Sequence, residues 1–198
     1  STVFELKCVT HRTDPIWVSI ISQVTPSESS KIKAMGMATL VKRFLINRGL
    51  DCVREVHLME PLVNLRPYVV VSLTKRNDQD PWDAMQGVLD YGDRVGKLII
   101  AVDEDINLRD PVAVTWAITH RSQPHKDIKV VGDRPFGATP IGMVATHPSS
   151  RYDNCESSLL IDATRKADFP PLSLPKEEYM VRAREIWEEL GLPRLEPQ

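Results

Sequence analysis

The side chains best equipped for chemistry fall into a few short motifs. The densest is Asp103-Glu104-Asp105, which follows the apolar run Lys97-Leu98-Ile99-Ile100-Ala101-Val102. Acids at the carboxyl end of a buried strand stand where open α/β sheets place their ligands. Three neighbouring carboxylates can hold a divalent cation through oxygen. An Asp-x-Asp of this kind occurs in nucleotide-sugar transferases, so a metal-dependent transferase using Asp103 and Asp105 is one reading. The plainer one is a solvated loop whose acids cap the next helix or pair with Arg109 and Arg121.

Imidazole titrates near neutral pH, so His11, His120 and His125 are candidates for acid/base work. Thr10-His11-Arg12 and Thr119-His120-Arg121 repeat one tripeptide at the ends of two apolar segments. The arginine in each suits carboxylate or phosphate; the alternative for each histidine is a surface or structural role. No Gly-x-Ser-x-Gly elbow occurs, and Cys8, Cys52 and Cys155 are far apart with no Cys-x-x-Cys pair. They read as reduced thiols of a cytoplasmic protein. Gly87, Gly92 and Gly96 lie in or just after an expected helix, the wrong context for a phosphate-cradling turn. Gly132, Gly137 and Gly142 punctuate an expected loop over 132–156, either a pocket wall or a surface connection.

The elements that must carry these groups follow from periodicity. Strands are expected at Val3–Thr10, Ile16–Ile21, Asp51–Met59, Tyr68–Leu73, Lys97–Val102, Asp127–Val131 and Ser158–Ile161. Tyr68–Leu73 and Lys97–Val102 are apolar throughout, as buried central strands are. Helices are expected from about Lys31 to Arg48-Gly49, from Asp80-Pro81 through Val95, from Asp110-Pro111 through Ile118, and from Pro175 to Leu190. The alternation predicts an α/β fold with a mixed, largely parallel sheet flanked by helices, then a C-terminal arm and helix. Residues 1–168 are read as the α/β domain and 169–198 as an extended arm plus terminal helix that packs on its own domain or on a neighbouring subunit.

With 198 residues, 42% of them hydrophobic, the chain can bury a full core. A net charge of -2 argues against a dedicated nucleic-acid binder, and no run of about 18 apolar residues offers a membrane span. Ser1-Thr2-Val3-Phe4 opens directly on strand-forming residues, as a fragment or processed product would.

Taken in order, several segments resemble the carboxyl-terminal part of the UbiD family of prenylated-flavin-dependent decarboxylases. They are Val9-Thr10-His11-Arg12 with Asp14-Pro15-Ile16, then Ile100-Ala101-Val102-Asp103-Glu104-Asp105-Ile106. Trp116-Ala117-Ile118-Thr119-His120-Arg121 with Asp110 and Asp127 follows, then Ile161-Asp162-Ala163-Thr164-Arg165-Lys166 and Ile186-Trp187-Glu188-Glu189-Leu190. The resemblance implies a carboxy-lyase acting reversibly on aromatic or α,β-unsaturated acids, in which prenylated FMN serves as the electron sink. It implies manganese and potassium at the flavin phosphate, in a flavin-binding domain that precedes the resembled segment. No catalytic or metal-binding residue is therefore expected here. This segment alone is expected to be inactive, binding no cofactor, and to shape the substrate pocket and build a homo-oligomer, a dimer or higher. By the same resemblance Ile16, Trp17, Tyr91, Arg94, Val95, Phe136 and Ala138 are pocket candidates, and Tyr91 is also a flavin contact. A non-catalytic assembly module is the alternative.

Overall fold

A computed structural model describes residues 5–17, 27–59, 68–92, 95–134, 156–167, 169–170, 173 and 175–193. The elements in chain order are α1 Glu28–Asn47, β1 Val53–Leu58, β2 Tyr68–Leu73, α2 Asp80–Tyr91 and β3 Leu98–Asp103. They continue with α3 Pro111–Arg121, α4 Pro124–Asp127, β4 Ile128–Arg134, β5 Glu156–Asp162 and α5 Glu177–Glu189. One five-stranded sheet runs β1-β2-β3-β5-β4. The central β2, β3 and β5 are parallel, and each edge strand is antiparallel to its neighbour.

The unbroken apolar runs have a simple cause. Successive side chains on a strand face opposite sides, so a strand covered on both sides must be apolar at every position. Val69, Val71, Ile99 and Ala101 meet Val41 and Leu45 of α1 and Met85 and Val88 of α2 on one face. Val70, Ile100, Val102 and Ile161 meet Val114 and Ala117 of α3 on the other. The result is an α/β/α sandwich.

Local chemistry starts the helices where the sequence suggests, within a turn. Ser27 and Ser30 exchange side-chain-to-backbone hydrogen bonds of 3.1 and 3.3 Å, a reciprocal cap that opens α1 three residues before the expected Lys31. Asp80 lies inside the first turn of α2, and its carboxylate accepts from Arg76 N at 2.7 Å and Asn77 Nδ2 at 3.0 Å. Asp110 caps α3 through Val112 N at 2.8 Å, with Pro111 at the first helical position.

Four expectations change. Glu5–Thr10 forms no strand; its residues are exposed and the described residues offer its backbone no partner. Ile16 and Trp17 are likewise irregular, and 18–21 lie outside the described residues, as do 1–4. α2 stops at Tyr91, so Val95 is buried from a turn rather than a helix. Finally, α4 occupies Pro124–Asp127, and β4 runs on to Arg134, through residues expected to begin the loop.

α5 contributes no buried residue, and Tyr179, Ile186 and Leu190 of its apolar stripe are exposed. Among the described residues no helix is long and apolar enough to cross a membrane.

Candidate functional site

At the carboxyl ends of the parallel strands the acid triplet is already occupied by the protein's own cations. Arg121, with a fully buried side chain, donates Nη1 to Asp103 Oδ2 at 3.0 Å and to Asp105 Oδ1 at 2.9 Å. Its Nη2 reaches Asp105 Oδ2 at 2.7 Å, completing a fork on that carboxylate. The guanidinium lies between the rings of Trp116 and Phe169, 5.1 and 5.6 Å from their centroids. Arg165 adds its backbone N to Asp103 Oδ2 at 2.7 Å. The hydrogen bonds from Arg121 hold the Asp105 carboxyl below its ordinary range, and the Arg121 and Arg165 charges add to the effect. Glu104 turns the other way and accepts from Thr74 Oγ1 at 2.8 Å.

The last of the quoted motifs closes the neighbouring strand end. Asp162 accepts from Thr164 N and Oγ1 at 2.9 and 2.6 Å, and Lys166 Nζ lies 3.0 Å from Asp162 Oδ2 and 3.5 Å from Asp127 Oδ1. A guanidinium stands where a transferase's metal would have to sit. Among the described residues no group of three or more His, Cys, Asp or Glu is arranged to hold a metal ion. The triplet thus takes the plainer reading through Arg121, whereas Arg109 goes to Glu55 at 2.6 Å.

The histidines do not converge on one site. His11 is exposed, its Nδ1 2.7 Å from Arg12 O. His120 stacks on Trp116 at 4.9 Å with Nδ1 3.0 Å from Trp116 O, and His125 is exposed on α4. His57, which the motif reading passed over, is half-buried on β1; burial and the nearby Arg109 charge lower its pKa. It lines a groove of about 710 Å³ between α1 and β1, floored by Ala34, Met35 and Val56. None of the pocket candidates among the described residues lines that groove. Cys52 is buried, which pushes its thiol pKa up; Cys8 is exposed, and Cys155 lies outside the described residues.

The pocket candidates the structure describes lie elsewhere. Tyr91 closes α2 with its ring edge-on to Phe44 at 5.3 Å, and Val95 is 2% exposed in the turn leading to the amino end of β3. Ile16 and Trp17 are 79% and 89% exposed on the amino-terminal segment. Arg94, Phe136 and Ala138 lie outside the described residues. The turn after α2 is tied down by Arg134 and Ser158, which sequence reading missed. The available signal was Gly132-Asp133, bulge-forming residues just before Arg134, taken for the opening of a loop.

This fold and its succession of strand-end motifs match known proteins. The profile of the 3-octaprenyl-4-hydroxybenzoate carboxy-lyase C-terminal domain aligns with residues 32–163, more than half of the chain. The chain belongs to that family, UbiD_C. An uncharacterized protein of Aeropyrum pernix is 28% identical over 96% of this UbiD_C chain and 38% of its own length. One of Archaeoglobus fulgidus is 27% identical over 83% and 32%. The UbiD_C chain therefore spans about a third of the length of these curated relatives.

Among solved structures, the UbiD-class enzyme HmfF from Pelotomaculum thermopropionicum, in complex with FMN, is 26% identical with a TM-score of 0.55. The match covers 73% of this chain and 31% of that one. Vanillic acid decarboxylase from Sedimentibacter hydroxybenzoicus, in open form, gives a TM-score of 0.63 at 22% identity, over 91% and 38%. This second likeness shows the shared fold.

Proposed function

We propose that this UbiD_C chain is the substrate-pocket and oligomerisation domain of a cytoplasmic carboxy-lyase. The enzyme reversibly removes the carboxyl group of an aromatic or α,β-unsaturated acid, with prenylated FMN bound by a flavin domain of the same protein. The observation that carries this reading is the family match across 32–163, supported by the likeness to HmfF, which was solved with FMN. The family's prenylated flavin supplies the electron sink when bound, with manganese and potassium at its phosphate.

At the turn after α2, neither Tyr91 nor Arg134 offers a free cation to a flavin phosphate. Tyr91 is packed against Phe44, and the guanidinium of Arg134 beside that turn is committed to backbone carbonyls. No chemical step is therefore assigned to these residues. Their part is to wall and dry the pocket: Ile16, Trp17, Tyr91, Arg94, Val95, Phe136 and Ala138 are the proposed lining. The arm and α5, from residue 169, form the proposed contact with a neighbouring subunit. The exposed stripe of α5 supports that assignment, since an amphipathic helix with no buried face gains most by finding another surface.

The test is to reconstitute the full-length protein with prenylated FMN and follow carbon dioxide release from a panel of aromatic and α,β-unsaturated acids. Turnover by the full-length protein and none by this chain alone is expected. Stoichiometric flavin absorbance and carbon dioxide release from the chain alone would overturn the division of labour. A full-length protein inactive on the whole panel would favour a non-catalytic assembly module.

A further inference from the structure

At the end of the sheet opposite the acid triplet, one guanidinium ties two other stretches of chain to its own strand. Arg134 Nη1 donates to Val95 O at 3.3 Å, Gly96 O at 3.2 Å and Ser158 Oγ at 2.6 Å. Its Nη2 reaches Leu89 O and Gly92 O, both at 3.4 Å. Ser158 is itself buried and passes its hydroxyl proton to Gly96 O at 2.6 Å. Leu89 O also accepts from Gly92 N at 3.3 Å and Gly92 O from Val95 N at 3.2 Å, so the carbonyls at the end of α2 and after it share a single cation in addition to these local bonds.

The backbone is bent to deliver this side chain. Register with β5 slips between Val131 and Arg134, and Asp133 sits at φ 54°, the only non-glycine with positive φ among the described residues. A bulge with a left-handed residue re-aims the side chain that follows, and such strain persists only where the surroundings hold it. Arg134 comes next. α2 already has a glycine at its C-cap, Gly92, whose N–H bonds Leu89 O, so the bent strand that brings Arg134 here does more than cap a helix end.

From this geometry we infer that Arg134 is a positioning residue for the pocket wall: it holds Gly92, Val95 and Gly96 after α2 and so the placement of Tyr91 and Val95. The inference rests on the proposed pocket reading for its functional half and on the five hydrogen bonds for its structural half. Tyr91 and Val95 flank the bonded carbonyls, so any change in that network moves the wall directly. A wall holds substrate and transition state alike, so the loss falls on KM rather than kcat.

The experiment uses the full-length protein with Arg134→Met, Arg134→Lys and Tyr91→Ala. Hydrogen exchange of the amides in 92–98 is followed alongside steady-state turnover of whichever panel acid is decarboxylated. Arg134→Met is expected to speed exchange in that turn about tenfold, the size of one lost charge-assisted hydrogen bond, and to raise KM about tenfold with kcat within about threefold. Arg134→Lys, keeping the charge without the fork, recovers part of both. Unchanged exchange in Arg134→Met overturns the inference, as does an unchanged KM when Tyr91→Ala raises it. If Tyr91→Ala leaves KM flat, the pocket reading of this turn fails instead. If no acid on the panel is turned over, the carboxy-lyase reading fails and exchange alone decides whether Arg134 holds the turn.

Discussion

Replacing Arg121 by methionine separates the charge of the buried cluster from its packing. Methionine keeps an unbranched apolar stem between Trp116 and Phe169 but removes three hydrogen bonds of 2.7 to 3.0 Å to Asp103 and Asp105. Breaking a buried pair by removing one partner costs about 3–5 kcal/mol, because the other charge is stranded. Here two features hold the cost to the lower end. Asp103 retains Arg165 N at 2.7 Å, and Asp105 is a third exposed, so water can reach it. The substitution also removes Arg121 Nε, a buried donor with no partner among the described residues, whose desolvation the wild type carries.

A net loss of about 3 kcal/mol, at a urea m-value of about 2 kcal/mol per M, moves the unfolding midpoint down by ~1.5 M. Circular dichroism in urea at pH 7 measures it. Asp105 supplies a second signature in acid. Its folded pKa lies below the unfolded value, so its stabilisation is complete above about pH 4 and is lost as pH falls through the lowered value. Arg121→Met abolishes most of that acid limb. A midpoint within 0.3 M of wild type, or an unchanged acid limb, would refute the assignment of the triplet to structural pairing.

Three further substitutions test other parts of the fold. His57 binds fewer protons folded than unfolded, so stability falls as pH drops below about 6.5; His57→Gln should flatten the change in Tm between pH 7.5 and 5.5, and an identical slope would show that another group is responsible. Gly96 sits at φ +83° with a notional Cβ 2.5 Å from the buried Ile99 side chain, so Gly96→Ala should cost about 2–4 kcal/mol by urea unfolding; a cost under 1 would mean that the turn relaxes freely. Ser27→Ala should remove about 1 kcal/mol by breaking the reciprocal cap of α1, measured as a midpoint shift, and an unshifted midpoint would show that the cap contributes nothing.

Much of the fold was legible because its signals are local. The runs Tyr68–Leu73 and Lys97–Val102 announce central strands by being apolar at consecutive positions, and Asp110-Pro111 marks a helix start without reference to anything distant. The amino-terminal segment misled for the converse reason. Alternation in Val3–Thr10 reports the wish of one edge for a partner, and strand structure forms only when a partner is supplied. The candidate pocket was legible only as positions brought by resemblance. The side chain that organises its turn was not, because Arg134 bonds to residues 38 to 45 positions away.

By itself, then, the sequence determined the layered α/β architecture, most element boundaries to within a turn, and the family, since these rest on periodicity, capping chemistry and motif order. Tertiary structure alone decided what the charged residues do. Asp103 and Asp105 offer equally good oxygens to a metal or to a guanidinium, and only the packing of α3 against the strand end, which sets Arg121 between two aromatic rings, makes the choice. At the other end of the sheet a bulge at Asp133 turns Arg134 inward, onto carbonyls that no local pattern connects to it. A charge can be counted in a sequence, but its partner is fixed by geometry, because Coulomb attraction and hydrogen bonding act across the few ångströms that folding alone brings about.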